Sequence, residues 1–298
     1  MVYHKPVLLS ESIEGLNINP EGVYVDVTFG GGGHSSMILE QLIGGKLFAF
    51  DQDVDANDNL LEDKRLKLLN ANFRHIKQFL KVEGVQEIDG LMADLGVSSH
   101  QLDVFERGFS TRSIGPLDMR MNSYSEIDAK YVINKYSEKE LANMLFEYGE
   151  LRESRKIARA IVQKRKESKI NNTKQLIDCI KNIVPEKIKN QFLSRVFQAI
   201  RIEVNDEICA LKEMLIAATE LLKKGGRLSI ISYHSLEDRL AKNIIKKGNL
   251  EGKLEKDFYG NPKLMYKSLN KRVIIPSDEE IKENSRARSA KLRVAEKI

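Results

Sequence analysis

Cysteine occurs only twice in the 298 residues, at Cys179 and Cys209. Two thiols are too few for a disulfide framework or a cysteine-ligated zinc site. No apolar run approaches the roughly 18–20 residues of a membrane span. The N-terminal stretch reaches the charged Glu11 before a signal-peptide core can form. No cluster with metal-ligand spacing, internal repeat or low-complexity tract is visible. These absences predict a reduced, cytoplasmic protein with no membrane segment and no resident metal. The chain is 42% hydrophobic and 31% charged, which suits a folded protein and excludes wholesale disorder. Its length suggests about two domains.

The net charge of +5 hides an asymmetry. Residues 1–104 carry 8 basic and 16 acidic side chains, residues 105–204 carry 20 and 13, and residues 205–298 carry 20 and 14. A basic two-thirds joined to an acidic first third suits a polyanionic partner such as nucleic acid. The densest stretch, 151–169, holds eight basic residues against two acidic. Leu151, Ala158, Ile161 and Val162 fall near one helical face there, which turns Arg152, Arg155, Arg159 and Lys166 outward. A second basic run covers 284–293. Each run taken alone is equally compatible with a solvated surface.

The first hundred residues alternate strand-like and helix-like segments, the pattern of an α/β fold. Strands are expected at 23–27, 46–50, 66–70 and 90–97, and a fifth at 226–233 only about 130 residues later. A crossover needs roughly a dozen to thirty residues, so most of that interval is surplus. It reads as helical at 137–147, 150–169, 173–183 and 191–223, with breaks at Asn171-Asn-Thr and Val184-Pro185. The expected organisation is therefore an α/β domain from 1–105 and 206–298 with an inserted, basic, all-helical domain at 106–205. Residues 249–283 read as loop with at most a strand pair.

Asp26-Val-Thr-Phe-Gly30-Gly-Gly-Gly33-His-Ser-Ser follows a strand and precedes a helix. Glycines allow a tight turn and close ligand approach, and a helix N-terminus presents free N–H donors. Asp51 lies 21 residues after Gly30 at the next strand end, where a carboxylate can accept both hydroxyls of a ribose. NAD(P) and S-adenosyl-L-methionine compete for such a loop. A carboxylate just before it, Asp26, would repel a pyrophosphate but attract the ammonium of a methionine moiety. Asp26 can instead serve as a turn former bonded to its own backbone. There is no second βαβ half to hold a nicotinamide, so S-adenosyl-L-methionine is favoured.

Asp94-Leu-Gly-Val-Ser-Ser-His-Gln101 sits at the carboxyl end of strand four, beside the expected reversal of strand order. Methyl transfer to nitrogen needs an aligned lone pair and somewhere for a proton to go, and Asp94 can accept a hydrogen bond from an amine. Methylation at carbon-5 of a pyrimidine needs a cysteine nucleophile. Cys179 and Cys209 are placed away from strand-end loops and read as small core residues, which leaves nitrogen or oxygen methylation. At the end of strand five, His234 can order a base or shuttle a proton and Tyr233 can stack on a base. Ser235-Leu-Glu-Asp there also reads as a helix N-cap.

Seven segments, Thr28-Phe-Gly-Gly-Gly-Gly-His34, Asp94-Leu-Gly-Val-Ser-Ser99, Glu106-Arg-Gly-Phe-Ser110, Pro116-Leu-Asp-Met-Arg-Met121, Phe197-Gln-Ala-Ile-Arg201, Ser229-Ile-Ile-Ser-Tyr-His-Ser-Leu-Glu-Asp238 and Ser285-Arg-Ala-Arg-Ser289, resemble the bacterial 16S ribosomal RNA cytosine-N4 methyltransferases. The resemblance runs from His4 to Lys297 in consistent order. It implies a Rossmann-like S-adenosyl-L-methionine-dependent domain with an inserted helical domain that helps recognise substrate. It further implies N4-methylation of a cytidine in the decoding region of small-subunit RNA, with 16S rRNA within the small ribosomal subunit as partner. Carried over, the cofactor contacts would be Gly32, Gly33, His34, Asp51, Phe73, Asp94 and Gln101. The proline and aromatic that follow the strand-four acid in many amino-methyltransferases are absent after Asp94, so Asp94 can serve cofactor binding rather than catalysis, with stacking and acceptor roles falling to Tyr233, His234 or the 105–109 loop. Rival readings are an N-methyltransferase of proteins or small molecules, and a non-catalytic RNA-binding ribosome assembly factor. Oligomeric state stays open, a homodimer included.

Overall fold

The computed structural model describes residues 6–298, so His4, where the resemblance begins, and the Met1–Lys5 part of the leader reading lie outside the described residues. The chain forms two compact units, one comprising the chain up to Gly96 together with Ile208–Ile298, the other Val97–Glu207.

The first unit is built on seven strands: β1 (Val23–Asp26), β2 (Lys46–Asp51), β3 (Leu66–Asn70), β4 (Ile88–Asp94), β5 (Leu222–Ser232), β6 (Tyr266–Ser268) and β7 (Lys291–Lys297). Their order is β3-β2-β1-β4-β5-β7-β6. The first five are parallel, and β7 runs antiparallel to both β5 and β6. Side chains alternate faces along each strand, and a parallel sheet needs cover on both. Val25, Phe48, Leu91, Ala93 and Ile230 point to one face and pack with Ile76 and Leu80 of α3 (Ile76–Val82), Met214 and Ala218 of α10 (Glu207–Leu221) and Ala241 and Ile244 of α11 (Ser235–Lys247). Tyr24, Leu47, Met92 and Ile231 point to the other and meet Ile13 and Leu16 of α1 (Leu9–Leu16) and Ile38 and Leu39 of α2 (Gly33–Gln41). This is the expected Rossmann-like α/β class. Strand order reverses between β1 and β4, so their carboxyl ends, Asp26 and Asp94, flank a crevice.

The second unit starts at Val97, nine residues before the expected boundary at 106, ends at Glu207, and is helical: α4 (Ser99–Asp103), α5 (Ala129–Lys135), α6 (Glu138–Gly149), α7 (Ser154–Glu167), α8 (Thr173–Ile180) and α9 (Lys189–Asn205). Its core gathers Val132, Leu141, Leu145, Ile157, Ile161, Leu176, Val196 and Ile200. A capping box of Ser137 and Glu140 starts α6. On α7, Ile157, Ala158 and Ile161 are buried while Arg155, Lys156, Arg159 and Lys166 are exposed. Arg165 turns back instead, donating to the carbonyls of Ile133 (2.8 Å) and Tyr136 (2.6 Å) at the end of α5, where the helix has orphan acceptors.

Four local expectations need correction. The single helix at 191–223 is two helices, because Asp206 adopts a left-handed conformation (φ 48°) that ends α9, and Lys223 already belongs to β5. Cys209 is exposed on α10, whose buried face is Ala210, Leu211, Met214 and Leu215. The basic run at 284–293 forms a short turn, Ser285–Ser289, and then enters β7, where Arg293 Nε donates to Asp238 Oδ1 at 2.8 Å. Residues 249–283 supply one three-residue strand, β6, paired to β7, and the helix α12 (Asp278–Glu283). No helix among the described residues is long and apolar enough to cross a membrane.

Candidate active site

Local chemistry shapes the loop after β1. Asp26 is 1% exposed. Its Oδ1 accepts from the Thr28 amide (3.0 Å) and hydroxyl (3.3 Å), and its Oδ2 accepts from the Ser35 hydroxyl (2.7 Å). Both oxygens are thus engaged within the loop, the turn-forming alternative left open above. Thr28 Oγ1 in turn accepts from the Asp94 amide at 2.7 Å, which ties the end of β1 to the end of β4. Gly32 has φ 75°, a left-handed value that a side chain disfavours, and it donates to the Phe29 carbonyl at 2.7 Å. A Cβ on Gly33 would clash with the ring of Pro6. α2 begins there with no side-chain cap, so its first-turn N–H groups are left for an anionic group.

Asp51 closes the loop from the next strand. Its Oδ2 accepts from the Gly30 amide (2.8 Å) and its Oδ1 from the Asp53 amide (2.9 Å). Asn59 donates to the Gly30 carbonyl at 3.0 Å. Burial pushes the Asp51 carboxyl up to about 6, against the pull of those two amides. It is ionised at neutral pH, and each oxygen keeps a lone pair for a further donor.

At the end of β4, Asp94 sits between two side chains. The Tyr233 hydroxyl donates to its Oδ1 at 2.8 Å, and His34 Nδ1 lies 3.9 Å from its Oδ2. His34 is buried, with Nε2 3.2 Å from the Val7 carbonyl. A carbonyl only accepts, so Nε2 carries the proton and Nδ1 bears one only in the imidazolium form. Burial raises the Asp94 carboxyl to about 6, partly offset by His34 and by the Tyr233 hydrogen bond. Burial and then the Asp94 charge push the Tyr233 phenol well above its ordinary value, so Tyr233 acts as a hydrogen-bond donor and not as a base.

The structure thus brings Gly32, Gly33, His34, Asp51, Asp94 and Tyr233 together along adjacent strand ends. Phe73 starts the turn after β3 and packs against the core as a partly buried ring. Gln101 belongs to the second unit, where it is buried and its Oε1 accepts from the Ser98 amide at 3.1 Å in the capping box of α4. His234, rather than Ser235, is the N-cap of α11, with Nε2 3.1 Å from Glu237 Oε1. The sequence reading missed Thr28, Ser35, Asn59 and Glu237. Only Glu237 left a local signal, an acid three residues after a cap position; its Oε2 accepts from the Tyr233 amide at 2.9 Å and holds that ring's backbone.

The profile of the MraW methylase family matches residues 1–298. The ribosomal RNA small subunit methyltransferase H of Flavobacterium johnsoniae is 55% identical, covering 100% of this chain and 99% of that protein. The proteins of the same name from Cytophaga hutchinsonii and Bacteroides thetaiotaomicron are 54% and 52% identical, covering 99% and 100% of this chain and 100% and 98% of theirs. The chain belongs to the MraW methylase family.

Proposed function

We propose that this protein is a cytoplasmic enzyme that methylates N4 of a cytidine in the decoding region of 16S ribosomal RNA, with S-adenosyl-L-methionine as methyl donor. The observation that carries the reading is the alignment of the glycine loop, Asp51 and Asp94 at neighbouring strand ends, in a chain more than half identical to proteins named for small-subunit rRNA methylation. The donor set fits the cofactor: an uncapped helix N-terminus for its carboxylate, and Asp51 for its ribose hydroxyls. When bound, the cofactor supplies an electrophilic methyl on a positively charged sulfur.

This chain's residues then have definable tasks. Loop and helix N-terminus hold the donor, and Asp51 fixes its rotation, so that the amine and the methyl meet in line. Asp94, ionised above about pH 6, accepts an N–H of the exocyclic amine and keeps the nitrogen lone pair aimed at the methyl carbon. Tyr233 holds Asp94 in place through its hydroxyl. Asp94, or water beside it, would take the proton that the amine sheds when its nitrogen becomes methylated. Neither cysteine lies at a strand end, which disfavours carbon-5 chemistry. The helical unit recognises substrate, with Arg155, Lys156, Arg159 and Lys166 of α7 facing RNA phosphates.

The test uses methyl-labelled S-adenosyl-L-methionine and small subunits from cells lacking this protein. Label in N4-methylcytidine, or in its 2′-O-methylated form, supports the reading; label in another nucleoside, or in protein alone, refutes it.

A further inference from the structure

A cavity of about 340 Å³ opens beside Tyr233 in the first unit, lined by Ile275, Pro276, Ile281, Arg288 and Lys291 among others. Its size is at the small end of ligand pockets, suited to one nucleotide rather than a folded peptide. Its position follows from the sheet. Ser232, the last residue of β5, pairs with Lys291, the first of β7, while Asp94 pairs with Ile231 of β5. Tyr233 therefore lies between the two: its hydroxyl bonds Asp94 while the residue also lines the cavity.

The lining has a definite chemistry. No carboxylate contributes to it among the described residues. Arg288 is exposed, and its guanidinium has no hydrogen bond or ion pair among the described residues. Lys291 Nζ is 3.9 Å from Asp238 Oδ2, but Asp238 is held more closely by Arg293 at 2.8 Å, so much of the lysine charge is left for another anion. Ile275, Pro276, Ile281 and Ala290 give the wall its apolar surface, and Ile275 among them is 65% exposed. Two cations beside an apolar wall match a phosphate joined to a sugar and base.

We propose that this cavity binds the RNA nucleotide adjoining the target cytidine, its phosphate on Arg288 and Lys291 and its base or sugar against Ile275 and Pro276. The inference rests on the RNA reading above and adds to it a subsite separated from Asp94 by one tyrosine. A neighbour anchored there holds the backbone while the target cytidine reaches Asp94.

Arg288→Glu and Ile275→Asp test it, with Lys246→Ala at the far end of α11 as the charge control. Each is assayed for S-adenosyl-L-methionine affinity, and for KM and kcat on small subunits at several salt concentrations. Both cavity variants should raise the RNA KM roughly three- to tenfold, and Arg288→Glu should also lower the slope of log affinity against log salt by about one or more. Cofactor affinity should stay unchanged, and Lys246→Ala should behave as wild type. Wild-type RNA kinetics in both cavity variants, or an equal loss in the control, overturns the subsite while leaving the enzyme reading intact. Failure of the wild-type chain itself to act on or bind RNA overturns the RNA reading, and the subsite with it.

Discussion

Replacing Asp94 by asparagine should make the ligand-free protein more stable at pH 8 while impairing methyl transfer. The Asp94 carboxyl is protonated up to about pH 6 in the folded chain, against 3.8 for an unperturbed carboxyl. Between those values the folded state holds a proton that the unfolded state has lost, so stability falls as pH rises from about 4 to about 6 and stays lower above it. A shift of about two units corresponds to about 3 kcal/mol. The side chain is 23% exposed, and solvent screening together with the lost attraction to His34 brings the expected gain for asparagine to about 1–2 kcal/mol. Asparagine fits, since its oxygen still accepts from Tyr233 and its amide faces His34 Nδ1. For a domain of this size the gain is about 2–8 °C in Tm. Thermal melts of both proteins at pH 5 and pH 8 measure it. The difference should be positive at pH 8 and about half as large at pH 5, midway through that window, and the Asp51 contribution cancels because both proteins carry it. Methyl transfer should fall by about tenfold or more, the size of a lost charged hydrogen bond. A variant less stable than wild type at pH 8, or one whose difference from wild type ignores pH, would refute the reasoning.

Asp51→Ala should reduce S-adenosyl-L-methionine affinity by about a hundredfold or more, since it removes both the ribose acceptor and the partner of the Gly30 amide; calorimetric titration with unchanged affinity sinks the loop assignment. Ser35→Ala leaves a buried Asp26 oxygen without its donor and should cost about 1–3 kcal/mol in urea unfolding; a loss below about 0.5 kcal/mol speaks against that role. Charge reversal at Arg155 and Arg159 should weaken RNA binding and flatten its salt dependence while leaving cofactor binding alone; the ion pair of Arg159 with Glu138, at 3.8 Å, is too exposed to matter for stability. An RNA affinity unchanged in that double variant places the RNA elsewhere.

Strand, glycine loop, helix, strand and acid stood in order from Val23 to Asp51, and local rules sufficed to read them: β-branched runs, permissive glycines and a carboxylate at a strand end. The surplus between strands four and five likewise announced a helical insertion, because a crossover cannot use so many residues. The burial and partnering of those groups depended on contacts between residues far apart in the chain. Asp94 and Tyr233 are 139 residues apart, and their hydrogen bond exists only because β4 and β5 pair. The basic run at 284–293 read as a charged surface stretch, yet from Lys291 its alternation of charged and apolar residues is that of a strand, and β5, some 60 residues earlier, supplies its partner. That His234 would start a helix as its N-cap, three residues before Glu237, was decided by where α11 begins. Residue types and spacing determined which chemistry was available, because backbone propensity and side-chain reactivity are local. Tertiary structure decided which groups meet, which are buried and which stay free, because desolvation and hydrogen bonding depend on neighbours that the local pattern does not contain.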